Sequence, residues 1–193
     1  RYSSKYRDIG HGEILRMYIA ELTSSLNKVR LISPLIRFKD ATFISSDLRN
    51  NFVVEPNSID LIVTSPPYAN ATDYFLYHRF RLFWLGYDPR SLSKCEIGAH
   101  LRHQKEHTGF DEYIQEMTLC LGNMYRGLRA GRYAVLVLGN AIFDGNQFDT
   151  AQLLSIKAQE IGFEFVGIVK RKVHATKRSF ITAARRLEEE SIM

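Results

Sequence analysis

The residues best equipped to do chemistry stand together in Thr64-Ser65-Pro66-Pro67-Tyr68. Proline has no backbone N–H, so this backbone offers mainly carbonyl oxygens. Ser65 adds a hydroxyl, and Tyr68 adds a flat ring whose direction the two prolines fix. Acceptors beside a ring suit a planar group bearing an NH2, such as the exocyclic amine of a nucleobase. Upstream, Asp47 offers a carboxylate that can accept from a ribose or from an adenine amine.

Such groups act only where the fold presents them. Ile59 to Val63 is apolar and partly β-branched around one Asp, which suits a central strand covered on both faces. The prolines end its ladder, and each disfavours helix in the residue before it. The turn therefore lies at the carboxyl end of a strand, where open α/β sheets bind ligands. Ala41 to Ser45 reads as a short strand delivering Asp47 to the same mouth. Tyr133 to Leu138 is a second apolar strand, closing at Gly139-Asn140, and Phe163 to Val169 a third.

Helices fall between these strands. Apolar residues from Leu15 to Val29 recur at three and four, which predicts a helix packed on a core. Residues 71–86 read as an aromatic helix, with Phe80, Phe83 and Trp84 in the core and Tyr74 and Tyr77 nearer the site. Phe110 to Leu128 is amphipathic and capped by Gly131; residues 149–161 begin at Asp149-Thr150 and stop at Gly162. Alternating strands and helices predict parallel pairing with crossover helices. Residues 87–109 form a mobile basic loop; three His in eight residues there, without Cys or a carboxylate pair, do not make a metal site.

With 193 residues, 45% hydrophobic and 24% charged, the chain reads as one globular domain. A net charge of +5 points weakly to an anionic partner. Lys170-Arg171-Lys172, His174, Lys177 and Arg178 form a cationic run after the third strand, of a kind that displaces counterions from phosphate. Cys95 and Cys120 show neither metal spacing nor a disulfide framework, which fits a reducing cytoplasm. No apolar run is long enough to span a membrane, and no signal peptide is visible. The chain opens at Arg1 without Met and stops inside Ser191-Ile-Met193, so it reads as a piece of a longer protein.

Thr64-Ser65-Pro66-Pro67-Tyr68 resembles the catalytic motif of the S-adenosylmethionine-dependent DNA amino-methyltransferases, which modify cytosine N4 or adenine N6. Ala69 to Tyr74 and the aromatic segment to Gly86 also look like one bacterial branch of that family. Ser in the first motif position is most typical of the cytosine-N4 enzymes, although some adenine enzymes carry it. The resemblance implies an α/β, Rossmann-like methyltransferase sheet, mostly parallel with a terminal antiparallel strand, incomplete in this chain. That strand would begin near Ser191, after an exposed helix across Arg185 to Glu190.

It further implies Ser65, Pro66, Pro67 and Tyr68 as catalytic residues and S-adenosylmethionine as cofactor, held by Asp47, Thr64, Ser65 and Asn140. Double-stranded DNA would meet Tyr74, Arg171, Lys172, Lys177 and Arg178, as in a restriction-modification system. The target base must leave the duplex to reach such a site. Acceptors at Ser65 and the Pro66 carbonyl would make its amine more nucleophilic, and Tyr68 would stack on the base. Ser65 is a weak base, so the proton acceptor stays unassigned.

The family's glycine-rich cofactor loop is missing: Gly10-His-Gly12 has the spacing but no strand before it. An upstream segment or a second polypeptide must supply that loop. The expected activity is cytosine-N4 methylation of DNA. Adenine-N6 methylation, a non-catalytic DNA-binding subunit and an RNA substrate are the competing readings.

Overall fold

The structure is a computed structural model that describes residues 10–35, 40–50, 54–69, 73–99, 109–143, 146–172 and 188–192. Two compact units divide it, Arg1–Ile44 and Ser45–Met193.

In the first unit, α1 (His11–Ile32) is a 22-residue helix followed by a 3-10 turn at Ser33–Leu35. Gly10 lies at its N-cap and Gly12 in its first turn, so this glycine pair opens a helix. The apolar stripe expected to pack on a core is instead exposed at Leu15, Tyr18, Ile19, Leu22, Leu26 and Val29. Spacing of three and four fixes which residues share a face, but not whether anything covers it. The expected strand at Ala41 to Ser45 is also not formed; the segment pairs with no ladder, and Phe43 is exposed.

The second unit is built on a four-stranded sheet: β1 (Ile59–Thr64), β2 (Leu128–Gly139), β5 (Ile168–Lys172) and β6 (Glu188–Ile192), in the order β1-β2-β6-β5. β1 and β2 are parallel, and β6 runs antiparallel to both β2 and β5. Three strands therefore point one way, with the last strand inserted against them. This is the α/β, Rossmann-like arrangement the sequence implied. A small hairpin of β3 (Ala141–Phe143) and β4 (Asn146–Phe148) follows β2.

Two helices cover one sheet face, α5 (Phe110–Gly127) and α6 (Thr150–Ile161). Phe110, Tyr113, Met117, Leu121 and Met124 of α5 join Ala151 and Leu154 of α6 and Leu136 and Leu138 of β2 in the core. Asp149 caps α6 by accepting from the Gln152 amide at 2.9 Å, as its position predicted. α5 ends earlier than expected, at Gly127, and the chain enters β2 directly at Leu128. Gly131 is not a helix cap. It sits inside β2 with φ +70°, where the register against β1 jumps from Ile59↔Leu128 to Leu61↔Tyr133. A bulge of that kind needs left-handed backbone that glycine adopts without strain.

The other sheet face is open. Leu61 and Val63 of β1 are 56% and 66% exposed, and Tyr133 and Val169 are exposed on the same side by register. β1 is thus not a strand covered on both faces: among the described residues it is an edge strand paired only with β2. The third strand begins at Ile168, later than the expected Phe163. Glu188 to Glu190, expected in a helix, belongs to β6 and stands in register opposite Lys172, Arg171 and Lys170. Opposite charges across an antiparallel pair favour the strand over the helix a Glu run prefers in isolation.

The aromatic segment forms short helices: α2 (Tyr74–Tyr77), α3 (Arg79–Trp84) and, beyond a turn, α4 (Pro89–Ser93). Phe80, Phe83 and Trp84, expected in the core, are exposed, Trp84 to 90%. The Arg79 guanidinium lies 4.9 Å from the Phe80 ring centre. Of the basic loop at 87–109, residues 100–108, with all three loop histidines, lie outside the described residues.

Candidate active site

Two parallel strands end side by side, and their carboxyl ends carry the site. Thr64 is in register with Leu136, so the turn after β1 stands beside Leu138-Gly139-Asn140 at the end of β2. Pro66 is buried, Pro67 and Tyr68 are half-buried, and Ser65 is exposed. The Tyr68 ring lies flush against Gly139, where an added Cβ would approach its Cδ2 to 3.0 Å. A glycine at the end of β2 thus makes room for the tyrosine at the end of β1. The Asn140 side-chain oxygen is buried, and among the described residues no group donates to it. Carbonyls will not serve an acceptor, so a ligand N–H or O–H is the chemistry that would satisfy it.

Helix α5 holds this turn from behind. The Tyr113 hydroxyl donates to the Pro67 carbonyl at 3.0 Å. One turn further along, Glu116 bonds the Arg49 guanidinium. Arg49 also donates to Asp47 at 2.6 Å and to the Cys95 carbonyl at 2.9 Å. Asn123 donates to the Leu48 carbonyl at 2.7 Å. Asp47 is therefore not at a strand end, as its position after a strand implied; it lies in a turn that Arg49 and Asn123 tie to α5. The Arg49 guanidinium beside it keeps its carboxyl below the ordinary carboxylate range. Sequence reading placed Tyr113 on an apolar face and gave Arg49, Glu116 and Asn123 no role. The one available signal was polarity, a Glu and an Asn interrupting the buried stripe of an amphipathic helix.

Tyr74 joins the periphery of the site. Its backbone N–H donates to Glu96 at 2.6 Å and that of Phe75 at 3.0 Å, so Glu96 caps α2 from outside the helix. Burial raises the Glu96 carboxyl above its usual range, against those two hydrogen bonds. Burial also raises the Tyr74 phenol, with Glu96 adding to the effect.

No family model matches the chain, and no curated protein matches it. Three solved structures resemble it, all of a "Putative DNA Modification Methylase" from Thermus thermophilus. The selenomethionine form is 16% identical over 76% of this chain and 49% of that one, with a TM-score of 0.43. A second form is 17% identical over 76% and 50%, at 0.45. The form complexed with S-adenosyl-L-methionine is 17% identical over 76% and 52%, at 0.44. The chain spans about half the length of the structures it resembles.

The cationic positions divide. Lys177 and Arg178 lie outside the described residues. Gly139 pairs with Glu189, and Glu189 with Arg171, so Arg171 stands level with Gly139 two strands away. At the usual strand spacing that is on the order of 10 Å. Lys172 follows at the end of β5, and Lys170 lies 3.5 Å from Asp149.

Proposed function

We propose that this chain is the catalytic part of a DNA methyltransferase that moves a methyl group from S-adenosylmethionine to the N4 amine of a flipped-out cytosine. The observation that carries the reading is the Ser65-Pro66-Pro67-Tyr68 turn at the carboxyl end of β1, its tyrosine ring seated on Gly139 at the end of β2. A rigid acceptor-rich turn beside an aromatic ring suits a planar base with an exocyclic amine. Ser65 and the Pro66 carbonyl would accept from the amine, and Tyr68 would stack on the base. The amine nitrogen bonds the methyl carbon as the carbon–sulfur bond breaks, leaving the thioether. Holding the two reactants in line supplies the acceleration, and no covalent enzyme intermediate is needed.

S-Adenosylmethionine is the methyl donor in this reading. The orphan acceptor of Asn140 fits a ligand that brings an N–H or O–H group. Thr64 and Ser65 stand beside it at the strand end. Asp47 would meet the adenosyl part, with Arg49 holding its carboxylate in place. The glycine-rich loop for the rest of the cofactor would come from an upstream segment or a second polypeptide. DNA phosphates would meet Arg171, Lys172, Lys177 and Arg178, with Tyr74 at the edge of the base site, in a cytoplasmic restriction-modification setting. Ser65 is the reason to prefer cytosine over adenine N6.

The test is methyl transfer to DNA by the full-length protein, read by digestion and mass spectrometry of the nucleosides, beside Tyr68→Ala. N4-methylcytosine lost in the variant is the expected result. N6-methyladenine would keep the mechanism and overturn the choice of base; methylated RNA would move the substrate class. DNA binding without any methylated base would leave a non-catalytic subunit.

A further inference from the structure

Two groups of the proposed site, the Pro66 carbonyl and the Tyr68 ring, must keep a fixed mutual angle if one base is to meet both. Only two backbone torsions of Pro67 lie between the peptide units that carry them. The pyrrolidine ring locks φ of Pro67 near about −65° and leaves ψ free. Nothing in the sequence of the turn fixes ψ. The hydrogen bond from Tyr113 does, because ψ determines where the Pro67 carbonyl points and the Tyr113 hydroxyl holds that carbonyl at 3.0 Å.

The donor itself cannot swing away. Tyr113 is fully buried. Its ring stacks on Phe110 with centroids 5.9 Å apart and planes 24° from parallel. On the other side it meets the turn at Gly98, where an added Cβ would come within 3.1 Å of its Cδ2 and 3.3 Å of Ala69 Cα. Gly98 has φ +73°, so glycine is needed there both for backbone and for space. Burial pushes the phenol well above its usual pKa, which keeps the hydroxyl protonated and able to donate across the working pH range.

From these contacts we infer that Tyr113 is the positioning residue of the turn: it sets ψ of Pro67 and thereby the angle between the acceptor at Pro66 and the stacking ring of Tyr68. The inference rests on the proposed methyl transfer. Tyr113 touches neither substrate nor donor in it and acts only through the backbone.

The experiment is Tyr113→Phe in the full-length protein, which keeps the buried ring and deletes the donor. Because misplacement by up to about 1 Å costs as much as 100-fold, kcat should fall about 10- to 100-fold while KM for DNA and for S-adenosylmethionine stays within about twofold. A control, Leu154→Val in the core of α6, should lower the melting temperature without that loss of kcat. Tyr113→Phe with wild-type kcat beside an active wild type overturns the inference alone. So does a loss matched by Leu154→Val at equal destabilisation, which would make Tyr113 merely structural. A wild type that methylates nothing overturns the functional reading and this inference with it.

Discussion

Gly139→Ala offers a one-atom test of whether the Tyr68 ring takes part in the reaction. The new Cβ would lie 3.0 Å from Cδ2, 3.2 Å from Cε2 and 3.6 Å from Cγ of Tyr68. Carbon atoms rest at about 3.5–4.0 Å, so the ring must retreat by about 0.5–1 Å. A displacement of that size in a positioned group costs about 10- to 100-fold in rate. Stability should change less. Overpacking costs about 1–3 kcal/mol, and alanine in place of a strand glycine returns about 0.5–1 kcal/mol of it. The net is about 0–2 kcal/mol, measurable by urea unfolding followed by circular dichroism. Single-turnover transfer of a labelled methyl group reads the rate. The decisive arm is Tyr68→Ala, where the clash has been removed and Gly139→Ala should cost nothing further. If Gly139→Ala slows transfer as much in that background as alone, the ring is not the route of the effect and the site geometry argued above is wrong.

Two further outcomes follow from the surroundings of the turn. Arg49→Met removes a counter-charge from the Glu116 carboxylate, whose side chain is 11% exposed, and should cost about 3 kcal/mol, partly restored by Glu116→Gln. It should also change the acid limb. Arg49 holds Asp47 below its ordinary value of 3.8, so the stability from Asp47 is present above that pH and lost as pH falls through the depressed value. That loss should vanish in Arg49→Met; an unchanged acid limb in melting temperature against pH would refute the assignment. Cys95 is exposed, whereas burial pushes the Cys120 thiol up to about 11. At pH 8 an alkylating reagent should label only Cys95 in the folded chain, and peptide mapping showing both labelled at one rate would contradict that burial.

What the sequence disclosed was local chemistry. Two prolines after an apolar strand determine a rigid turn wherever they stand, and Asp149 caps a helix with its own neighbours. Burial is a different matter, because it depends on what else is present. The spacing of Leu15 to Val29, and of Phe80 to Trp84, is the same whether a face is covered or bare. Long-range pairing also escaped: Glu188 to Glu190 becomes a strand only because Lys170 to Lys172 stand opposite. The β3–β4 hairpin was legible and overlooked, since Asp144-Gly145 between Ala141-Ile-Phe and Asn146-Gln-Phe is a two-residue hairpin signal. Tyr113 could not be recognised as a donor without knowing which carbonyl it faces.

The surface position of Trp84 has a practical consequence. It is the only tryptophan in the chain and is 90% exposed in the folded state. Its indole is already surrounded by water, so unfolding the chain should shift its emission maximum little, and fluorescence will be a poor reporter of denaturation. The same property makes it a selective optical probe. Any molecule that settles over Phe80, Phe83 and Trp84 will move the emission to shorter wavelength or quench it, against a background that folding itself hardly disturbs.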